Sequence, residues 1–286
     1  MISDITLGQF FPGYSPIHKL DPRTKILLAT IFIVAVFVAN NPVSFLLITV
    51  VSLLLVLISR ISLSVVIKGI KPILFILLFT ALINVFATTG DGVPLIEFWV
   101  IRIYREGVIR AILMALRVVI LIIGTSILLT YTTSPISLTD GLESLLSPLK
   151  KIKVPVHTFA MMMSIALRFI PTLVEETEKI MNAQKSRGAD FTSGSLVQRA
   201  KALVPLLIPL FVSSFKRAEE LATAMECRCY RGDVGRTKLV KLEYKAGDFV
   251  FLAIFIVLLV AMITLTVVPY KFELEGLLYG IPFYKV

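Results

Sequence analysis

Arg187 and Arg228 are the residues whose types and settings most invite a chemical reading. The first stands in KSRGAD and the second in AMECRCYRG, each closing a stretch patterned as a helix. A guanidinium offers a planar fork of donors that pairs with carboxylates, which a lysine ammonium does less well. Arginines near two helix ends therefore suit recognition of acidic groups on a partner. Taken singly, each is explained by attraction to the carbonyl end of its helix, about 0.3–1 kcal/mol. Their repetition within one polar insert favours recognition. Cys227 and Cys229 flank Arg228; one residue apart, they do not come together on adjacent helical turns. His18 and His157 are the only histidines. A second ligand pair for zinc is thus missing, and the cysteines read as reduced thiols with no metal site.

Other chemistry-bearing patterns are weak or missing. The sequence contains no G-x-x-x-x-G-K-[ST], no H-E-x-x-H and no G-x-S-x-G, so neither nucleotide binding, zinc hydrolysis nor a serine nucleophile is indicated. TSGSL (Thr192 to Leu196) reads as a polar loop. Glu175, Glu176 and Glu178 follow Pro171, a residue suited to the first helical turn, and there they complement the helix dipole. Glu175 and Lys179 form a favourable i,i+4 pair. Asp140 and Glu143 in LTDGLE are assigned to capping at a helix beginning.

The elements that must position these residues are membrane helices. The chain has 286 residues, of which 57% are hydrophobic, with a mean hydropathy of +0.89. The apolar residues run in long uncharged stretches, which indicates an all-α polytopic membrane protein with about five transmembrane helices. The runs are Ile26 to Ala39, Val43 to Ile58, Pro72 to Thr89, one within Ala111 to Thr133, and Phe249 to Val268. Asn40-Asn41-Pro42 breaks the first from the second as a hairpin turn. The net charge of +10 fits basic loops retained in the cytoplasm and needs no nucleic acid as partner. His18, Lys19, Arg23 and Lys25 precede the first run, and Arg60, Lys68 and Lys71 lie between the second and third. That bias places the N-terminus in the cytoplasm, although Arg102, Arg105 and Arg110 in the next loop oppose it. Five spans would then leave the C-terminal tail PYKFELEGLLYGIPFYKV external. No cleaved signal peptide is expected from MISDITLGQFFPGY.

Arg117 stands inside the fourth run. An intramembrane arginine faces either a bundle interior or a lipid phosphate, and the sequence leaves both open. Between the fourth and last spans, Ser134 to Ala246 carries seventeen Lys and Arg against eleven Asp and Glu, a cytoplasmic signature. Within it, VPVHTFAMMMSIALRFIP and ALVPLLIPLFVSSF read as interfacial helices, too short and proline-rich to span. One helix is expected from Pro171 to Arg187, ended by Gly188 in the left-handed conformation. A second is expected from about Ser213 to near Gly232. Met161, Met162, Met163, Met181 and Met225 add adaptable apolar surface, for which ordinary packing is the simpler account. Three segments follow: 1–133 with the first four spans, 134–245 with the cytoplasmic or interfacial helices, and 246–286 with the last span and tail.

The chain resembles the T component of energy-coupling factor (ECF) transporters, the membrane scaffold of vitamin and micronutrient importers. The stretches that carry the resemblance are HKLDPRTKI, LTYTTSPISLTDGLESLLSPLKKI, LRFIPTLVEETEKIMNAQKSRGAD and AMECRCYRG, in the family's order. Its signatures are Ala-Arg-Gly triplets closing two coupling helices. Here they read Ser186-Arg187-Gly188 and Cys227-Arg228-Cys229, so both arginines are kept while the second triplet has cysteine on each flank. The resemblance implies a non-catalytic subunit of the cell membrane. It implies two partner ATP-binding-cassette (ABC) ATPases that bind ATP and Mg, with no cofactor on this chain. It further implies a small membrane S component that captures substrate, with Met161, Met162, Met163 and Arg117 as S-component-contacting or structural candidates. The two triplets would dock into the ATPases.

Rival readings come from other classes. A self-contained membrane enzyme needs an acidic or histidine cluster at the membrane boundary, and none has useful spacing. A secondary transporter needs internal repeats and broken helices around a midplane site. A conventional ABC permease subunit is nearest in mechanism, but two arginine-ended helices differ from one coupling loop.

Overall fold

The computed structural model describes residues 10–88, 96–98, 101–189, 191, 195–232 and 242–267. The C-terminal tail, Thr192 to Gly194 and much of the expected external loop therefore lie outside the described residues. Nine α-helices are described: α1 Pro22–Val38, α2 Pro42–Ser59, α3 Leu63–Ile70, α4 Leu74–Ala87, α5 Arg105–Thr125, α6 Pro135–Leu145, α7 Val156–Ser186, α8 Leu196–Cys227 and α9 Ala246–Val267. A short antiparallel ribbon, Ile96–Phe98 against Ile101–Ile103, is the one departure from all-helical structure among them. The described residues divide into two compact units, 142–232 forming one and 10–141 with 242–267 the other.

In the second of these units α1 is central, packed on α9 and α5. Leu28, Phe32, Ala35 and Val36 are fully buried. A helix apolar on all sides is what such a position requires. Gly124 permits the approach of α5: a Cβ there would stand 2.1 Å from Phe32 Cε1. Beyond Thr125 the helix widens into a π-helical stretch, Ser126–Tyr131. The Tyr131 hydroxyl then sits over Gly69, where a Cβ would come within 2.3 Å.

The basic N-terminal motif HKLDPRTK is a buried polar clamp. Asp21 caps α1 by accepting from the Arg23 amide at 2.8 Å, and its own amide donates to Asp248 Oδ1 on α9, also at 2.8 Å. Asp248 Oδ2 accepts from the Lys245 amide at 2.7 Å. The Lys25 ammonium donates to the Thr132 carbonyl at 2.8 Å and the His18 carbonyl at 3.3 Å. Lys25 precedes the apolar run; desolvation pushes it down to about 8 against the opposing pull of Asp248 and Asp21. Arg23 stacks on the Tyr244 ring, 4.0 Å from its centroid. The sequence signals are ordinary ones, a Pro at the start of α1 behind an Asp cap.

At the other end of α1 the Asn40-Asn41-Pro42 turn is held from two sides. Arg117 Nη2 donates to the Ala39 carbonyl and, at 3.3 Å, to Asn40 Oδ1, and its guanidinium lies over the Phe45 ring. Asn41 Nδ2 donates to the Leu265 carbonyl at 2.7 Å. Arg117 thus faces the bundle and caps the free carbonyl end of α1, an arrangement that satisfies groups which lipid cannot.

Five helical segments are long and apolar enough to cross a membrane: Pro42–Ser59, Leu63–Ala87, Gly107–Tyr131, Val156–Ser186 and Ala246–Val267. The number matches the sequence expectation, but the membership does not. The 17-residue α1 drops out as short, and α7 enters. The segment read as a short interfacial helix is the first half of a 31-residue helix that continues through Pro171. The proline-rich ALVPLLIPLFVSSF likewise lies inside the 32-residue α8 with Pro205 and Pro209 internal. Proline removes one helical donor, a loss that long apolar helices absorb.

Candidate functional site

The unit 142–232 carries both arginines. His157, at the start of α7, meets Glu143 near the end of α6, with Nδ1 and Oε1 2.8 Å apart and both residues buried. The assignment of Glu143 and Asp140 to capping is corrected here. Asp140 is at the middle of α6 and Glu143 near its end, neither in the first turn, and Glu143 answers a histidine returned by the turn at Ser147–Ile152. α8 begins with a capping box: the Gln198 amide donates to Ser195 Oγ, and the Ser195 amide to Gln198 Oε1 at 2.9 Å. The expected start of this helix near Ser213 is therefore too late by more than four turns.

α7 and α8 end in the same way. The Gly188 amide donates to the Lys185 carbonyl at 2.9 Å and the Ala189 amide to the Gln184 carbonyl at 3.0 Å. In α8 the Cys229 amide donates to the Glu226 carbonyl at 2.8 Å and the Tyr230 amide to the Met225 carbonyl at 3.0 Å. Each is the paired-bond Schellman closure, with the arginine as the cap residue and the next residue left-handed. The φ values of that next residue are +87° at Gly188 and +56° at Cys229. Ser186, Arg187 and Gly188 are exposed, as are Cys227, Arg228 and Cys229. Among the described residues no carboxylate pairs with either guanidinium. Two free forks thus project from two equivalent ends, each able to accept a carboxylate from outside the chain.

The helices meet further back. Arg217 Nη2 of α8 lies 2.6 Å from Glu176 Oε2 of α7, an ion pair by distance rather than an aligned hydrogen bond. Ser213 Oγ donates to Glu176 Oε1. Glu176 was expected to serve the dipole of a helix beginning at Pro171. It lies instead in the body of α7, where that dipole has faded, and it serves the neighbouring helix. Met162 and Met163 are exposed near the start of α7, and Met161 is half-buried. Arg117 belongs to the other unit. Among the described residues no three His, Cys, Asp or Glu side chains cluster as metal ligands.

Comparison with known proteins bears on the whole chain. The family model described as "CbiQ: Cobalt transport protein" matches residues 13–239. The energy-coupling factor transporter transmembrane protein EcfT of Clostridium kluyveri is 56% identical over 250 residues, 87% of this chain and 92% of the relative. The EcfT of Ruminiclostridium cellulolyticum is 53% identical over 257 residues, covering 90% and 95%. That of Bacillus subtilis is 50% identical over 248 residues, covering 87% and 93%.

The chain belongs to the CbiQ/EcfT family. It is a transmembrane T component of ECF-type transport, and the resemblance drawn from the sequence is correct. Within this T component the non-glycine flank of Arg228 does not disturb the closure. Cys229 takes the left-handed position that Gly188 fills at the other end. What the sequence reading missed is the Glu176, Ser213 and Arg217 contact. A signal was present: Glu176 precedes Arg187 by eleven residues, and Arg217 precedes Arg228 by eleven.

Proposed function

We propose that this T component couples two cytoplasmic ABC-type ATPases to a small substrate-binding membrane S component in vitamin or micronutrient uptake. Arg187 and Arg228 each enter one ATPase and pair with its carboxylates, flanked by Ser186 and Gly188 at one end and Cys227 and Cys229 at the other. ATP and Mg belong to those ATPases, and this chain neither hydrolyses ATP nor holds a cofactor. The N-terminus and the helix ends at Arg187 and Arg228 face the cytoplasm, and the tail is external. The observation that carries this reading is the repetition of one cap, with an unpaired exposed arginine, at the ends of two long helices. A chain serving two related subunits needs two such ends. The long N-terminal arms of the helices fit the remaining role. Phe159, Met162 and Met163 on α7, and Leu207, Ile208 and Phe211 on α8, are exposed apolar side chains suited to a membrane partner.

Affinity purification from mild detergent with mass spectrometry tests the assembly. Two ABC ATPases and a small hydrophobic protein are expected with wild type. Arg187→Glu and Arg228→Glu each reduce ATPase recovery by about tenfold or more, as loss of a buried interfacial charge pair does, while membrane insertion is unchanged. Full recovery and full uptake in both variants would show that the arginines merely finish their helices.

A further inference from the structure

Glu176 and Arg217 occupy matching places on their helices. Each is eleven residues before the arginine of its own helix end. Eleven residues are about three turns and 16 Å of rise, returning to within about 20° of the same face. The contact is 20 residues beyond Val156 on α7 and 21 beyond Leu196 on α8, by subtraction along each helix. Both helices are therefore divided alike, into an N-terminal arm of about 30 Å and a C-terminal arm of about 16 Å.

The contact is also chemically distinct from its surroundings. Around it on α8, Lys216, Glu219 and Glu220 are exposed, and so are the apolar Phe211, Val212 and Phe215, each more than half accessible, so none of these is buried against α7. Apolar contact alone between two helices is adaptable and tolerates slippage by a turn. An ion pair with an added hydroxyl donor does not, because sliding either helix by one residue rotates its partner atom away by about 100°. Side-chain exposure of 21% for Glu176 and 32% for Arg217 leaves the pair only partly screened. No second ion pair joins α7 to α8 among the described residues.

We infer that Glu176, held by Arg217 and Ser213, is the positioning contact that fixes the register in which α7 crosses α8 and hence the separation of the Arg187 and Arg228 ends. The inference rests on the coupling reading for its consequence: ends held at a fixed separation engage two ATPases together, whereas ends free to slip engage one at a time. Glu176 touches neither partner in this account. It acts through Arg217.

Two measurements keep the inference and the coupling reading separable. The first uses this chain alone in lipid nanodiscs, with Cys227→Ala, an introduced Lys185→Cys and native Cys229 as spin-label sites, and pulsed dipolar distances between the two ends. Wild-type contact residues give a narrow distribution. Glu176→Gln and Arg217→Ala each broaden it, and the exchange Glu176→Arg with Arg217→Glu narrows it again. A narrow distribution in both single variants, or an exchange variant as broad as they are, overturns the inference. The second uses the full transporter and compares substrate uptake with ATP hydrolysis. Glu176→Gln lowers uptake per ATP by about tenfold, the order expected for loss of a partly buried charge pair, with ATPases still co-purifying. The exchange variant restores it. Unchanged uptake per ATP in Glu176→Gln and Arg217→Ala, with both ATPases bound, also overturns the inference. If no ATPase is recovered even with wild type, the coupling reading fails while the distance measurement still decides the role of Glu176 in register.

Discussion

Replacement of Asp248 should loosen the membrane bundle more than any apolar truncation of similar size. Its carboxylate is 2% exposed and accepts two amide bonds, from Asp21 at 2.8 Å and from Lys245 at 2.7 Å. It also lies close enough to the buried Lys25 ammonium to favour its charged form. Alanine removes both acceptors. Each abandoned buried amide costs about 1–3 kcal/mol, so the two together cost about 4 kcal/mol before the lost attraction for Lys25 is considered. Asparagine retains one acceptor and turns its amide nitrogen towards the other donor, so about half that loss is expected. Each kcal/mol moves the midpoint of a chain of this size by about 2–4 °C. Thermal unfolding in detergent should therefore drop by roughly 8–16 °C for Asp248→Ala and 4–8 °C for Asp248→Asn. An alanine variant within about 2 °C of wild type would show that the clamp is not a stability element.

Three further outcomes follow from the geometry. Gly124→Ala drives a Cβ to within 2.1 Å of the fully buried Phe32 ring, so it destabilises by about 1–3 kcal/mol, measured by the same unfolding assay. Cys229→Gly removes a left-handed non-glycine residue, worth about 1 kcal/mol, and Gly188→Ala introduces one in open space. Amide exchange should slow over residues 226–230 in the first variant and quicken over residues 185–189 in the second. Lys25 titrates near 8 when folded and at 10.5 when unfolded, so between these values the unfolded chain holds the extra proton. The stability of wild type relative to Lys25→Met should then increase as pH rises through that window and fall as pH drops to 8.

The sequence was most legible where one signal sufficed. Gly188 behind Arg187 announced a helix end, Asn40-Asn41-Pro42 announced a hairpin, and uncharged runs announced membrane helices. It was least legible where a local rule met a longer one. Pro171 is a good first-turn residue, and the acids behind it completed a convincing helix start. The apolar stretch before it nevertheless continues the same helix, because a proline inside a long apolar helix removes only one donor. With Pro171 as a boundary, Glu176 falls near a helix start, where the helix dipole accounts for it. Its true partner is 41 positions away on another helix, beyond the reach of periodicity within either helix and marked only by the equal spacing of the two residues from Arg187 and Arg228. Asp248 was invisible for a similar reason. One acid before an apolar span looks like a solvated end until Asp21, 227 residues earlier, is seen to donate to it. Arg117, open between lipid and bundle, is decided by carbonyl groups that the end of α1 leaves free.

The closure at Cys229 has an experimental corollary. Both cysteines of the chain lie at the end of α8, exposed and unpaired, and there are no others. Wild type is therefore already a singly addressed molecule: a thiol-reactive fluorophore marks the Arg228 end and leaves the Arg187 end untouched. The two ends can be told apart optically without altering a residue, and the motion of the Arg228 end in the free chain can be followed apart from that of the Arg187 end.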